Sequence, residues 1–420
     1  MLNFNCVFPI AAGTGGKFTI YQSINLYRKF TANNIFTGHT ILPKGNVLIT
    51  DKNGVFVDII PQNEAGDNIE FFKGILSPGF INAHCHLELS HLKGAIPEKP
   101  GLVEFVFKVI TERHFAEQDI LTAIEAAEHE MLQNGIVALG DICNTAHTIT
   151  QKSKQRLRYH NFIEVAGFVP NGAAARFAGA VKTSGQFLST INHQLSTINP
   201  HAPYSVSPEL FKLINDYPNN NLITIHNQES TAEDEFFKTR TGDFLKLYEK
   251  LNIDISFFKP SNKSSLQTFL PHFKNKQSLI LVHNVTTTKE DIKFTKLSTI
   301  NHQLSTLYFC LCPNANLYIS NTLPGVDLLT EQHCNIVLGT DSLASNHQLS
   351  ILDEIKTLQK NFPRLQLETM LQWATLNGAK ALQMDDTLGS FEKGKQPGVV
   401  LIENVEGLQF TKNSSSKRIL

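Results

Sequence analysis

Eight short apolar runs recur through the middle of the chain, at Phe80–His86, Ile136–Ile142, Phe162–Phe168, Ile198–Tyr204, Leu222–His226, Leu279–His283, Leu307–Leu311 and Ile336–Gly339. Each is too short for a stable helix, and such runs read as strands buried on both faces. Stretches with helical spacing intervene, such as Ile120–Gln133, apolar at Leu121, Ile124, Ala127 and Met131, and Leu349–Gln359. Strands alternating with helices predict a parallel sheet, and eight is the number that closes a distorted (β/α)8 TIM-type barrel. The connection from Asn227 to Ser278 is long enough to carry extra helices or a lid.

At the two ends the pattern changes. Phe30–Thr40 and Gly45–Ile60 contain alternating or β-branched runs punctuated by turn residues, and Gly389–Ile402 holds a matching piece. Chain ends tend to lie close together, so these pieces predict a small β-sandwich built from 27–79 plus 386–420, with the barrel over 80–385. Residues 1–26 are expected to be a disordered extension. One repeat interrupts the picture: LSTINHQLST stands at Leu188–Thr197 and again at Leu297–Thr306, with no similarity around either copy. It reads as a duplicated insertion polar enough for a surface loop, so His193 and His302 are discounted as ligands.

Composition narrows the function classes. Across 420 residues, 37 Lys and Arg balance 38 Asp and Glu, which leaves no basic footprint for nucleic acid and no polybasic patch for a membrane. No apolar run approaches the ~18 residues of a membrane span. The N-terminus lacks the basic start of a signal peptide, so the six cysteines are expected as reduced thiols of a cytoplasmic enzyme acting on a small molecule.

The chemistry sits where the apolar runs end. His84 and His86, His201, His226, His283 and Asp341 all fall in or just after separate candidate strands, on what in a barrel is the active-site face. His84 and His86 are two residues apart, so strand geometry points both imidazoles to one side. With His226 and Asp341 they offer a nitrogen and oxygen shell suited to Zn²⁺ or Fe²⁺.

The segments SPGFINAHCHLELSHLKG, NPHAPYSVSPEL, TIHNQESTAEDEF, LVHNV, CPNANLYI, VLGTDSLASN, ATLNGAKAL and GSFEKGKQPGVVLI resemble, in this order, the amidohydrolase superfamily. They are most similar to its branch of aminohydrolases and triazine chlorohydrolases. The resemblance implies that His84, His86, His226 and Asp341 hold one divalent metal, with Zn²⁺ expected. It also implies that Glu229 shuttles protons, that His283 orients water or polarises the substrate, that Asp341 takes the water's proton, and that His201 contacts the substrate. A possible homodimer is implied as well. Relatives with two metals bridge them through a Lys on the fourth strand; Ile198–His201 contains none, so a single metal is expected. The implied activity is hydrolytic deamination of an amino-substituted heterocycle, purine or nucleoside-like. Hydrolysis of a cyclic amide or a carbon–halogen bond is the alternative, because the same machinery serves all three. A catalytically dead relative would have lost ligands, and all four are present.

Weaker signals have plainer readings. Glu88 and His91 follow the His-x-His motif and are candidates for substrate contact at the mouth. Glu164 sits in an apolar strand, where a buried carboxyl needs a partner, and reads equally as structural or pocket-lining. Cys85 and Cys310-x-Cys312 read as core thiols, Asn346 as ordering its loop, and Phe105 with Phe107 as an apolar lid over a flat ring.

Overall fold

Seven strands occupy residues 27–77: β1 (Tyr27–Thr31), β2 (Asn34–Phe36), β3 (Ile41–Pro43), β4 (Asn46–Asp51), β5 (Phe56–Pro61), β6 (Ile69–Phe71) and β7 (Ile75–Ser77). The computed structural model describes residues 27–191, 195–301 and 303–420. The expected extension over 1–26 and the discounted His193 and His302 therefore lie outside the described residues.

Eight further strands follow: β8 (Phe80–Cys85), β9 (Ile136–Cys143), β10 (Arg158–Val165), β11 (Leu195–Pro200), β12 (Leu222–Asn227), β13 (Ser278–His283), β14 (Leu307–Leu311) and β15 (Asn335–Leu338). They match the eight apolar runs. β10 and β11 begin earlier than expected because polar residues join them: His160 is buried, stacked on Phe162 with ring centroids 4.4 Å apart, and donates to or accepts from Thr197. All eight run parallel, in two sheets of order β11-β10-β9-β8 and β12-β13-β14-β15.

At both seams between these sheets, asparagine side chains stand in for the regular ladder. Asn199 Oδ1 accepts from the Thr224 amide at 2.9 Å, and the His226 amide donates to the His201 carbonyl at 3.0 Å. On the other side Asn82 donates to Thr340 Oγ1 at 2.7 Å and accepts from its amide at 3.1 Å, while the Thr340 and Asp341 amides both reach the His84 carbonyl. Pairing of β8 with β9 is also irregular between Asn82 and Cys85. His84, His201, His226 and Asp341 thus emerge where regular pairing gives way.

Helices between the strands bury one stripe each. In Glu117–Gln133 that stripe includes Ile120, Ile124, Ala127 and Met131, at helical spacing, packed into the largest core. The long connection after β12 holds helices Thr231–Thr239, Phe244–Lys250 and Ser265–Phe269, as its length required. The duplicated segment departs from the loop expected of it. Its first copy closes the helix Ala173–Thr190 and opens β11; its second ends the helix Lys289–Ile300 and leads into β14. Thr197 and Leu304 are buried while Leu188 and Ile300 are exposed, so the segment has enough apolar positions to serve as a helix-to-strand connection.

The last strands, β16 (Val400–Glu406) and β17 (Gln409–Arg418), return to the first seven. They give a five-stranded sheet of order β17-β16-β7-β2-β3 beside the four-stranded sheet β5-β4-β1-β6. Phe30, Ile35, Leu48, Phe56, Leu76, Phe391 and Leu401 share one core among these elements. Sequence pattern did not reveal β17, whose residues QFTKNSSSKR are mostly polar; it is an edge strand, and edges favour such residues. No helix among the described residues is long and apolar enough to cross a membrane.

Candidate metal centre and active-site cavity

His84 and His86 share one side of the end of β8, their ring centroids 4.9 Å apart, while Cys85 between them packs into the main core. Across the sheet ends, His86 Nε2 lies 3.2 Å from His226 Nε2. Asp341 Oδ1 lies 3.5 Å from His84 Nε2 and 3.4 Å from His86 Nε2. One ligand atom from each of the four residues falls within 4.8 Å of all the others, and all four residues are buried. Asp341 reaches this position on left-handed backbone, φ 56°, a conformation non-glycine residues rarely adopt and one that gathers at functional sites.

The surroundings fit a cation. Both ring nitrogens of His84 and Nδ1 of His86 are buried without a hydrogen-bond partner, which is costly for polar atoms that nothing else uses. His226 Nδ1 donates to the His201 carbonyl at 2.7 Å, which leaves Nε2 with its lone pair facing the cluster. Burial holds the basicity of His86 and His226 well below the ordinary histidine range, so both stay neutral, as ligands must. Ser345 Oγ donates to Asp341 Oδ2 at 2.6 Å and fixes the carboxylate.

Glu229 and His283 meet beside this cluster, with His283 Nε2 3.5 Å from Glu229 Oε1. Burial, the Asp341 charge and Glu233 push the Glu229 carboxyl well above its usual range, toward the protonated form. Glu233 accepts from the backbone amides of Gln228 and Glu229 at 3.1 and 3.2 Å, holding a turn in which Gln228 has φ 47°. His283 has φ 76°, and Asn316 Nδ2 approaches its Nδ1 at 3.1 Å, which orients the ring with Nε2 toward Glu229. Burial lowers the His283 pKa to about 4, so the ring is neutral near pH 7. His201 stands next to His226, centroids 4.8 Å apart, with Nδ1 2.8 Å from Ser205 Oγ.

A cavity of about 1060 Å³ opens onto these groups. Its lining includes His86, His201, His226, Glu229, His283 and Asp341 together with apolar residues such as Phe105, Phe168 and Leu247. Phe105 thus lines the cavity as expected of a lid residue. Phe107 does not; its ring lies under Lys250 Nζ, 4.7 Å from the centroid.

Glu88 and His91 are not among the lining residues, which corrects the expectation of substrate contact. Glu88 is almost fully buried, with Oε1 taking Arg113 and Oε2 taking the Asn144 and Thr145 amides and the Thr145 hydroxyl. His91 bonds the carbonyls of Glu88 and Arg113. Sequence proximity to the His-x-His motif suggested a mouth position, but in the short helix Leu87–Leu92 Glu88 is turned into the core and the half-buried His91 is committed to backbone carbonyls. Asn346 holds its loop by donating to the Thr340 carbonyl and to Glu354. Cys310 and Cys312 are free, buried thiols. Glu164 does line the cavity, its Oε2 3.9 Å from His226 Nδ1. Asn316 and Ser345 were missed as supporting residues, although both lie inside the motifs CPNANLYI and VLGTDSLASN.

Comparison with known proteins agrees with this geometry. The chain is 27% identical over 337 residues to an adenosine deaminase of Helicobacter pylori, covering 78% of each sequence. It is 26% identical over 346 residues to an aminodeoxyfutalosine deaminase of Nitratiruptor sp., covering 80% of each. The fold superimposes on the crystal structure of Helicobacter pylori aminofutalosine deaminase in complex with methylthio-coformycin with a TM-score of 0.79, at 22% identity, covering 94% of this chain and 100% of that one. The amidohydrolase family profile matches residues 75–416, which takes in every strand from β7 to β16 and all four clustered ligands, and the chain belongs to the amidohydrolase family.

Proposed function

We propose that this chain is a metal-dependent hydrolase of carbon–nitrogen bonds that deaminates a purine-type nucleoside and releases ammonia. The observation that carries the reading is the 3.5 Å approach of Glu229, whose carboxyl burial pushes toward the protonated form, to His283 beside a buried His₃Asp cluster in one cavity. The names of the relatives support the same substrate class. A cavity of about 1060 Å³ also leaves room for more than a bare purine.

His84, His86, His226 and Asp341 hold the cation in this reading. A divalent metal there supplies Lewis-acid activation of water near neutral pH, and the three imidazoles with one carboxylate favour zinc. A single ion is proposed: Glu164, His201 and His226 also bring ligand atoms within 4.8 Å of one another, but His226 Nδ1 is already committed to the His201 carbonyl. The protein's own groups move the protons. Asp341 takes one from the attacking water as the carbon–oxygen bond forms. Glu229 gives one to the ring nitrogen beside the amine-bearing carbon, and a proton is then delivered to the amine as the carbon–nitrogen bond breaks and ammonia leaves. His283 holds the new oxygen through Nε2, and His201 faces the base.

The same reading joins the two parallel sheets into one distorted (β/α)8 barrel over 80–385, for which the hydrogen bonds across both seams speak. It takes 27–79 with 386–420 as the attached β-sandwich. A cytoplasmic location suits the five described cysteines, all of them free.

The test is ammonia release by metal-loaded protein from guanine, cytosine, adenosine, S-adenosylhomocysteine and aminofutalosine, with Glu229→Gln as control. Release from a purine nucleoside, lowered by at least about a hundredfold in the control while metal content stays the same, is the expected result. Silence across the panel with metal bound would transfer the reading to amide or halide hydrolysis.

A further inference from the structure

Among the described residues Glu164 is the one carboxyl lining the cavity outside the His84–His86–His226–Asp341 cluster and the Glu229–His283 pair, although it lies close enough to His201 and His226 for their ligand-type atoms to fall within 4.8 Å of one another. It is the penultimate residue of β10, and its side chain is only 6% exposed. Oε1 accepts from Asn144 Nδ2 at 2.8 Å. Asn144 is itself anchored through its amide to Glu88, which Arg113 neutralises. Oε2 has no hydrogen bond among the described residues; its nearest basic group is His226, 3.9 Å away, whose Nδ1 proton already goes to the His201 carbonyl. No ion pair joins Glu164 to a Lys or Arg among the described residues; of the two arginines that line the cavity, Arg113 is taken by Glu88, and Arg176 makes no ion pair with Glu164. Oε1 is held in place and Oε2 is open to the cavity, so a ligand that brings a donor there gains a hydrogen bond to a pre-positioned acceptor.

Resting on the deaminase reading, we infer that Glu164 accepts a hydrogen bond from a sugar hydroxyl of the substrate and thereby selects ribosyl nucleosides over deoxy analogues and free bases. The chemistry of the base points this way. Apart from the amine that leaves, the edges of an adenine-type ring present only acceptor nitrogens, which a carboxyl oxygen repels. The remaining donors on such a nucleoside are its hydroxyls. Position agrees: Glu164 stands on β10, while the proton-handling pair stands after β12 and at the end of β13, so the reacting carbon and Glu164 fall on opposite flanks of His226. Glu164 is therefore a specificity residue, and Asn144 its positioning partner.

The experiment is calorimetric binding of adenosine and 2′,3′-dideoxyadenosine to metal-loaded Glu229→Gln protein, with and without Glu164→Gln. In the Glu164→Gln protein, Asn144 keeps an acceptor while an amide donor replaces the free oxygen. Loss of the hydroxyls is expected to weaken binding at least about tenfold when Glu164 is present, and less than about threefold after its replacement. Discrimination that survives Glu164→Gln, or is absent before it, overturns the inference. Should that variant fail to fold, Glu164→Asp, which withdraws the carboxyl by one methylene, takes its place with the same expected collapse. The binding ratio does not depend on turnover: a collapse without ammonia release from the unmodified protein would remove the deaminase reading and keep this one.

Discussion

Replacing Lys152 by Met removes the positive half of a fully buried ion pair. Lys152 Nζ lies 2.5 Å from Asp141 Oδ2 and donates to Asn161 Oδ1 at 2.7 Å, and both Lys152 and Asp141 are 0% exposed. Asp141 Oδ1 in turn accepts from the Leu87 amide at 2.8 Å, one residue beyond His86 of the metal cluster. Met fills similar volume, so cavity formation adds little; the loss comes from a carboxylate left in the interior with no counter-charge. Breaking such a pair from one side costs about 3–5 kcal/mol, whereas replacing both charges with apolar groups is often close to neutral. At about 2 cal/mol/K of unfolding entropy per residue, a chain of this length loses about 4–6 °C in Tm for that energy. The assay is thermal unfolding of metal-loaded Lys152→Met, Asp141→Leu and the double variant, with metal content measured for each. The single variants are expected to melt about 4–6 °C lower and to retain less metal, with the double variant recovering most of the melting loss. A single-variant loss under about 1 °C, or a double variant no better than Lys152→Met, would refute the reasoning.

Two further outcomes follow from other contacts. Ser345→Ala removes the hydroxyl that holds Asp341 Oδ2 at 2.6 Å, and should weaken metal retention about tenfold in competition with a chelator while leaving the fold intact. Burial raises the Glu354 pKa to about 8 although Asn314 and Asn346 donate to it. A carboxyl whose folded pKa lies above its unfolded value favours folding at low pH and loses that contribution as pH rises toward about 8. Stability measured by denaturant from pH 5 to 9 should therefore fall less steeply in Glu354→Gln than in the unmodified protein.

Much of this protein was legible in the chain because its strands are buried on both faces. Such strands must be apolar along their length, so all eight parallel strands stood out, and the histidines or aspartate at or just after the ends of five of them (His84 and His86, His201, His226, His283, Asp341) stood out as candidates for chemistry. The period of a strand alone put His84 and His86 on one side. Short motifs around them carried the family, since metal ligation and proton transfer restrict residue type at each position. The N-terminal strands and the helix Glu117–Gln133 were visible for the same reason, a period of two or of 3.6 imposed by a single buried face.

What sequence could not settle depends on partners distant in the chain. Glu88 and Glu164 are both glutamates near strand ends, and nothing local distinguishes them. Tertiary structure gives Glu88 an arginine and three donors, which satisfy it as a structural group, and leaves Glu164 one free oxygen in the cavity. Asn82 and Asn199 look like ordinary strand residues until two sheets meet across them. Edge strand β17 is polar because one side faces solvent, so its pairing with β16 is set by position alone. Residue type and spacing were enough to pick out the candidates for metal binding and proton transfer. Only the fold decided which buried carboxyls are already paired and which remain open to a ligand, because a hydrogen bond's partner is chosen by proximity in space and leaves no period in the chain.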